Sequence, residues 1–296
     1  MSTILVLGGG GFIAGHIEQL YHALGWRVVS IGRAVGLGPG ERHVWSLPHP
    51  EFAHLLAVER PDVCVNAAGR ASVAASLVEP LTDFEASTAL TFRLLDDLRR
   101  ASPATVYIHL SSAAVYGEAR ALPIAENAAI APISPYGWHK HFSEQALAEH
   151  SAIFGLRTAS LRIFSAYGPT LHRQVVWDLA AKARPGAPLK AQGCADDSRD
   201  FIHGQDVAQA LALVVDKGVL DGACYNVASG VETRIDALAA LVARCANAGE
   251  ITFNQLRRPG DPSRWRADIS RLAALGFAPR IALAEGVRQV VSAAHG

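Results

Sequence analysis

Cysteine, net charge and long hydrophobic runs are all scarce in this chain of 296 residues. The four cysteines (Cys64, Cys194, Cys224 and Cys245) are widely spaced and form no Cys-x-x-Cys pair, so we expect free thiols rather than disulfides or a zinc site. The 27 basic and 27 acidic residues cancel, which argues against binding of nucleic acid through bulk charge. No apolar run approaches the ~20 residues of a membrane span, and no signal peptide is evident. We therefore expect a cytoplasmic protein with no nucleic-acid or membrane partner.

Short apolar runs alternate with segments of helical periodicity through the first 165 residues. The apolar runs that are typical of buried strands lie at 4–8, 27–32, 62–69, 105–112 and 156–164. The segments with a helical apolar stripe lie at 12–24, 83–101 and 136–150. This alternation predicts an α/β fold with a Rossmann-type doubly wound parallel sheet. Beyond residue 165 the alternation weakens, and loops rich in Gly, Pro and charge predict a smaller C-terminal lobe.

A glycine-rich segment joins the first predicted strand to the first predicted helix. Read as Gly9-x-Gly11-x-x-Ala14, the sequence LGGGGFIAGH matches the dinucleotide-binding pattern G-x-G-x-x-G/A. Small residues let the backbone approach a pyrophosphate, and the helix N-terminus stabilises the charge of that group. The segment therefore predicts a dinucleotide site.

The end of the second predicted strand bears on which dinucleotide binds. NAD-binding versions of the pattern carry Asp or Glu about 20 residues after the glycines, where the carboxylate holds the ribose 2′-hydroxyl. This chain has Gly32 followed by Arg33. Loss of the acid and gain of a guanidinium favour a 2′-phosphate. NADP is therefore the expected cofactor, and NAD stays open as the alternative.

The segment SPYGWHK, residues 134–140, has the features of a helix start. Ser134 is a good N-cap and Pro135 suits the first helical position, which places Tyr136 and Lys140 on one helix face at i and i+4. A nearby ammonium, together with the positive nicotinamide of an oxidised cofactor, would lower the pKa of a phenol from about 10. This arrangement suits a tyrosine that transfers a proton while a hydride moves.

Hydroxyl groups are expected near that tyrosine, because Ser111 and Ser112 end a predicted strand at the edge where open α/β sheets bind ligands. They can polarise a substrate oxygen. His139 and His141 flank Lys140, but residues at i and i+2 do not share a helix face. We therefore expect no metal site there.

These motifs, taken together, resemble the extended short-chain dehydrogenases/reductases, and within them the NAD(P)-dependent nucleotide-sugar epimerase/dehydratase family. The resemblance covers nearly the whole chain. GGGGFIAGH is similar to the family's TGGxGFIGSH, SSAAVYG to its S-S-x-x-V-Y-G, and SPYGWHK to its Y-x-x-x-K. The further segments that follow in the family's order are NAAG (66–69), LRIFSAYGP (161–169), RDFIHGQDVA (199–208), YNVASG (225–230) and RRPGDPSRWRADISR (257–271).

The resemblance implies roles for particular residues. It implies that the catalytic residues are Ser112, Tyr136 and Lys140. It implies cofactor contacts from Gly8, Gly9, Gly11, Phe12, Ile13, Arg33, Ala67, Ala68, Gly69, Ser111, Tyr136, Lys140 and Ile163. It implies that a nucleotide-diphosphate sugar is bound by Ser112, Ser165, Arg199, Arg258 and Asp261. Guanidinium groups suit a diphosphate, and a carboxylate can accept from ribose hydroxyls.

Departures from the family pattern bear on the reaction. Ala113 and Ala114 stand where 4,6-dehydratases carry an Asp-Glu pair, so we do not expect dehydration. Ile163 replaces a frequent Tyr beside the nicotinamide, and Ser165 replaces the Asn that usually contacts the diphosphate. The expected reaction is reduction of a 4-keto sugar nucleotide with NADPH. The alternative is 4-epimerisation with tightly bound NAD, and a more remote one is a non-catalytic NADP-binding sensor.

The resemblance also implies an organisation for the chain. Residues 1–165 are expected to form the NAD(P)-binding Rossmann domain that carries the Ser, Tyr and Lys. Residues 166–296 are expected to form mainly the lobe that binds the nucleotide sugar, interleaved with the first domain. Relatives commonly pair through the helices that match 83–101 and 136–150, so we expect a homodimer.

Overall fold

A computed structural model describes residues 1–33 and 38–296. Its main feature is a sheet of seven strands in which every neighbouring pair is parallel. The strands are β1 (Thr3–Leu7), β2 (Arg27–Gly32), β3 (Glu41–Val44), β4 (Val63–Asn66), β5 (Val106–Ser112), β6 (Thr158–Ile163) and β10 (Asp221–Val227). Their order across the sheet is β10-β6-β5-β4-β1-β2-β3. The predicted Rossmann-type α/β fold is confirmed.

Helices cover both faces of this sheet. They are α1 (Phe12–Ala23), α2 (Phe52–Glu59), α3 (Val73–Val78), α4 (Pro80–Phe84), α5 (Leu90–Ala101), α6 (Pro135–Phe154) and α8 (Gly204–Lys217). The helix predicted over 83–101 begins earlier, at Pro80, and a π-helical turn over Glu85–Ala89 separates α4 from α5.

The rest of the chain forms a smaller part next to the main sheet. Its elements are β7 (Ser165–Tyr167), α7 (Gln174–Lys182), β8 (Leu189–Ala191), β9 (Ser198–His203), β11 (Glu232–Arg234), α9 (Ile235–Ala246), β12 (Ile251–Phe253), α10 (Ser270–Ala273) and α11 (Leu283–His295). Three of its strands pair in the order β11-β9-β7, and β12 pairs with β8. Helices α7, α9 and α11 share a separate apolar core. β10 and α8, although they come late in the chain, belong to the main sheet and its helical cover.

The strands are apolar throughout because side chains of the central sheet are buried on both faces. Residues 4–7 of β1 have no exposed surface. Ile4 and Val6 pack towards α1 and α8, whereas Leu5 and Leu7 pack towards α5. This division follows from the alternation of side chains along a strand. All four cysteines lie within the described residues and are free thiols. Within the same part of the chain, no helix is long and apolar enough to cross a membrane.

Candidate active site

A cleft of about 1030 Å³ opens at the carboxyl ends of the main strands and extends to the smaller part of the molecule. Every residue to which the sequence assigned a role lines this cleft. They are Gly8, Gly9, Gly11, Phe12, Ile13, Arg33, Ala67, Ala68, Gly69, Ser111, Ser112, Tyr136, Lys140, Ile163, Ser165, Arg199, Arg258 and Asp261. The fold therefore brings together groups that lie up to 253 positions apart in the sequence.

The glycine-rich segment forms a tight turn between β1 and α1. Gly8 has a φ of +91°, and a Cβ there would lie 2.6 Å from the carbonyl oxygen of Ala67. The backbone N–H groups of Gly8 and Gly9 both donate to the Ile31 carbonyl at 2.8 Å, which fixes the turn against β2. Helix α1 starts directly after Gly11, and no side chain of the N-cap residue bonds its first N–H groups. Gly11, Phe12 and Ile13 at this helix start line the cleft. This cradle fits the pyrophosphate of a dinucleotide.

The end of β2 explains why this chain carries no acid there. A Cβ at Gly32 would overlap the carbonyl oxygen of Gly9, so no side chain fits at position 32 without moving the turn. Arg33 follows and is exposed at the rim of the cleft. Arg42, on the adjacent β3, is already bonded to the buried Glu18 at 2.7 Å. Arg33 thus presents an exposed guanidinium at the part of the rim where the sequence predicts contact with the cofactor.

The start of α6 holds the candidate catalytic residues. Ser134 caps the helix by accepting from the Gly137 N–H at 3.2 Å, as the sequence predicted, and Pro135 occupies the first turn. Nζ of Lys140 donates to the Leu110 carbonyl at 2.8 Å and lies 5.8 Å from the centroid of the Tyr136 ring. Ser112, at the end of β5, faces the same cleft.

The protonation of these groups is controlled mainly by burial. Burial raises the pKa of Tyr136, the nearby Ser112 hydroxyl lowers it, the charge of Asp83 raises it and that of Arg173 lowers it. Burial lowers the pKa of Lys140 to about 8, against the opposing charges of Asp83 and Glu144. The sequence led us to expect a lowered phenol pKa. In the protein itself the loss of water around the hydroxyl is the larger effect.

A buried ion pair supports the floor of the site. Glu144 of α6 accepts from Nε and Nη2 of Arg162 at 3.0 and 2.8 Å, and from the hydroxyl of Ser111 at 2.6 Å. Burial raises the pKa of Glu144, but the neighbouring His141, Arg162 and Ser111 together hold it down at about 2. Sequence reasoning missed this pair, because a glutamate on a helix usually belongs to a solvated face.

Arginines and acids from the later part of the chain also line the cleft. Arg199 lies 5.8 Å from the Trp265 ring, and burial lowers its pKa. Arg258 donates to Oε1 of Gln192 at 3.0 Å. Burial raises the pKa of Asp261, and the charges of the two arginines lower it. Arg257, which the sequence did not single out, also lines the cleft and bonds Asp197 at 2.5 Å.

Asp200, next to Arg199, anchors backbone and does not form a loop ion pair with its neighbour. It has no exposed surface. Its carboxylate accepts from the N–H and hydroxyl of Ser229, from the N–H of Gly230 and from the N–H of Ala267, at 2.6 to 3.1 Å. Residues 229 and 230 closely follow β10 of the main sheet. We name this set of bonds the Asp200 clasp.

Comparisons with known proteins agree with this architecture. The sequence profile of the NAD dependent epimerase/dehydratase family matches residues 4–228. The chain is 29% identical over 303 residues to UDP-glucose 4-epimerase of Mycolicibacterium smegmatis, covering 97% of this chain and 96% of that protein. It is also 29% identical over 302 residues to GDP-6-deoxy-D-mannose reductase of Pseudomonas aeruginosa, covering 98% and 96%.

A solved structure of a similar protein has the same fold. The crystal structure of UDP-glucose 4-epimerase from Thermus thermophilus in complex with NAD superposes with a TM-score of 0.89, at 27% identity and 99% coverage of both chains. The chain therefore belongs to the NAD dependent epimerase/dehydratase family, a family of NAD(P)-dependent enzymes within the extended short-chain dehydrogenases/reductases. The predicted family is confirmed.

Proposed function

We propose that this enzyme interconverts a nucleotide-diphosphate sugar and its 4-epimer with a bound NAD(P). The observation that carries the proposal is the layout of the cleft. Ser112, Tyr136 and Lys140, from β5 and α6, line the same cleft as Arg199 and Arg258 from later in the chain. The arginines suit the diphosphate of the substrate, so the attached sugar would extend towards the hydroxyl groups. The UDP-glucose 4-epimerases among the similar proteins favour this reaction over the reduction first expected from the sequence.

The chain's own residues account for binding and for proton movement. The cofactor would lie against the turn at Gly8, Gly9 and Gly11, and when bound it supplies a hydride acceptor and donor. Tyr136 takes the proton of the sugar C4 hydroxyl and returns one to the same oxygen. Ser112 hydrogen-bonds that oxygen. Lys140 keeps a positive charge near the phenol, which favours the phenolate when Tyr136 acts as a base.

Reduction of a 4-keto sugar nucleotide with NADPH is the second candidate. It is favoured by the overlap at Gly32, which excludes the carboxylate typical of NAD sites, and by the guanidinium of Arg33 at the rim. The reductase of Pseudomonas aeruginosa is as similar to this chain as the epimerase of Mycolicibacterium smegmatis. The two reactions differ in whether the dinucleotide is regenerated within one turnover.

One experiment separates these candidates. The protein is purified without added dinucleotide, any bound cofactor is identified by native mass spectrometry, and turnover is assayed with UDP-glucose, UDP-N-acetylglucosamine and 4-keto sugar nucleotides. Retained NAD and equilibration of a 4-epimer pair are expected. An empty site that prefers NADPH, with consumption of NADPH, would establish the reductase. Tight cofactor binding without hydride transfer to any of these substrates would establish a sensor instead.

The catalytic assignment has its own test. Tyr136→Phe is expected to abolish turnover, because it removes the hydroxyl placed to move the proton, and to leave cofactor affinity nearly unchanged. Tyr21→Phe on α1 is the matched control, since its ring packs on Trp26 away from the cleft. Near-normal turnover by Tyr136→Phe would refute the mechanism.

We further propose that the chain forms a homodimer and that residues 166–296 bind most of the substrate. Four large apolar side chains are exposed on neighbouring helices: Leu81 (68%), Phe84 (36%), Trp138 (44%) and Phe142 (42%). Helices α4 and α6, which carry them, pack together. Such a patch is typical of a surface that another subunit covers, and it lies on the helices that the family resemblance implicates.

A further inference from the structure

Ser111 and Ser112, adjacent at the end of β5, are hydrogen-bonded in opposite senses. The hydroxyl of Ser111 donates to Oε1 of Glu144 at 2.6 Å. The hydroxyl oxygen of Ser112 instead accepts from the N–H of Ala114 at 3.2 Å, as the cap of a short 3₁₀ turn. Both serines line the cleft. A serine hydroxyl has a single hydrogen and two lone pairs, so the two residues offer different hydrogen-bonding groups to a ligand.

The direction of the Ser111 bond follows from the charge of Glu144. Its pKa is held down at about 2 despite burial, so at neutral pH Glu144 is a carboxylate, which only accepts. Ser111 and Arg162 stand opposite each other on β5 and β6, and both side chains bond Glu144 of α6. Arg162 donates to both carboxylate oxygens, at 3.0 and 2.8 Å. This fork keeps Glu144 within reach of the Ser111 hydroxyl.

The single hydrogen of Ser111 is therefore committed to Glu144. A ligand group that meets Oγ of Ser111 from the cleft must donate a hydrogen bond, because only lone pairs remain there. Ser112 has the reverse character, since its oxygen takes the Ala114 N–H and its hydrogen stays available for an oxygen of the ligand. The sequence led us to expect both hydroxyls to polarise a substrate oxygen, and the bond to Glu144 leaves that role to Ser112.

The reaction proposed above indicates which ligand group donates to Ser111. Hydride exchange requires C4 of the nicotinamide ring to face C4 of the sugar, whose oxygen Ser112 and Tyr136 are proposed to bind. The carboxamide is attached to the ring carbon next to C4, so it belongs beside the same reacting centre. Its NH₂ group needs an acceptor, and Lys140 can only donate. Ser111 is therefore the residue of this group that is suited to accept from the carboxamide.

We propose that Ser111, oriented by Glu144, accepts a hydrogen bond from the carboxamide NH₂ group of the bound dinucleotide. The inference rests on the proposed function for the position of the nicotinamide ring. Glu144 acts through Ser111 and is a positioning residue, because its carboxylate holds the Ser111 hydrogen away from the ligand. The two residues together make the cleft selective for dinucleotides whose ring substituent carries an N–H donor.

Competition between NAD and 3-acetylpyridine adenine dinucleotide tests this, because the analogue keeps the carbonyl oxygen and has a methyl group in place of NH₂. The protein is equilibrated with an excess of an equimolar mixture, and the ratio of the two bound dinucleotides is read by native mass spectrometry. Wild type should prefer NAD by roughly five- to tenfold, the worth of one hydrogen bond. Ser111→Ala should bind the two almost equally. An unchanged ratio in Ser111→Ala would overturn the proposal.

Two controls and the wild-type arm keep the test decisive. Ser143→Ala removes another buried hydroxyl of α6, which donates to the His139 carbonyl of its own helix at 2.9 Å, and should keep the wild-type ratio. Thionicotinamide adenine dinucleotide retains the NH₂ group, so Ser111→Ala should not change the ratio of this analogue to NAD. If Ser111→Ala does not fold, wild type alone still decides, because an absence of preference for NAD over the acetylpyridine analogue would contradict the proposal.

The competition also separates this inference from the proposed function, because the mixture contains no sugar. A preference for NAD that disappears in Ser111→Ala, in a protein that turns over no nucleotide sugar, would uphold the contact and refute the reaction. Turnover of a nucleotide sugar by a wild-type protein that shows no such preference would do the reverse.

Discussion

Replacing Glu144 by Gln is expected to destabilise the whole protein, although the substitution changes one oxygen to an NH₂ group. Glu144 is buried and receives two bonds from Arg162 and one from Ser111. The guanidinium also donates to the hydroxyl of Tyr116 and to the Glu126 carbonyl, so it cannot move away. In Glu144→Gln, Arg162 stays buried without a countercharge, which costs more than the loss of a single hydrogen bond.

The size of the effect follows from the acidity of Glu144. Its pKa falls from 4.5 to about 2 on folding, a difference of about 2.5 pH units. At about 1.4 kcal/mol per unit this is about 3 kcal/mol of stability. Because the folded-state pKa is the lower one, this contribution is complete above pH 4.5 and is lost as the pH falls towards 2. The value agrees with the roughly 3–5 kcal/mol that is typical for breaking a buried ion pair.

Urea unfolding measures this loss of stability directly, with the fluorescence of the five tryptophans as the probe. At pH 7, Glu144→Gln should lower the free energy of unfolding by about 3 kcal/mol. The difference in the free energy of unfolding between wild type and Glu144→Gln should become smaller at pH 4 and below. Glu149→Gln, on the more exposed side of the same helix, should change stability by less than about 0.5 kcal/mol. A gap under about 1 kcal/mol at pH 7, or one that does not depend on pH, would refute the reasoning.

Three more predictions concern the cleft and the proposed dimer. Gly32→Asp should weaken the binding of NAD and of NADP by about tenfold or more, as measured by calorimetry, because a Cβ at position 32 overlaps the Gly9 carbonyl. Gly32→Ala should show most of the same loss of affinity. Tight binding of NAD by the aspartate variant would contradict the overlap. Arg258→Gln should raise KM for the nucleotide sugar by roughly tenfold with kcat little changed, and a fall in kcat alone would argue against a binding role. Trp138→Arg should give a monomer by light scattering, and an unchanged dimeric mass would place the interface elsewhere.

The main sheet was predictable because its central strands are buried on both faces and therefore appear as apolar runs in the sequence. β10 was missed: DGACYNV begins with exposed and half-exposed residues and carries a buried Asn226, so it lacks the apolar pattern. Its place beside β6 is fixed by tertiary pairing, in register from Ala223 to Val227. Local pattern alone could not reveal that a strand so late in the chain completes the first sheet.

The cleft residues were predictable because their motifs are short and local, whereas the groups beneath them were not. Glu144 and Asp83 are single acids on helices, and nothing in their neighbourhood along the chain marks them as buried. Each becomes a buried charge only when its partner arrives from another element, Arg162 of β6 and His139 of α6. The raised pKa of Tyr136 was unforeseen for the same reason, since burial depends on the folded surroundings.

The Asp200 clasp has a consequence for how substrate preference can change in this enzyme. It ties the segment that carries Arg199 to the turn just after β10, and so to the main sheet, against which helix α6 with Tyr136 packs. The clasp therefore holds Arg199, the proposed contact of the diphosphate, at a fixed distance from Tyr136, the proposed proton-transfer residue. A different sugar would have to be accommodated by substituting side chains that lie between Arg199 and Tyr136, because the distance between these two residues cannot increase while the clasp holds.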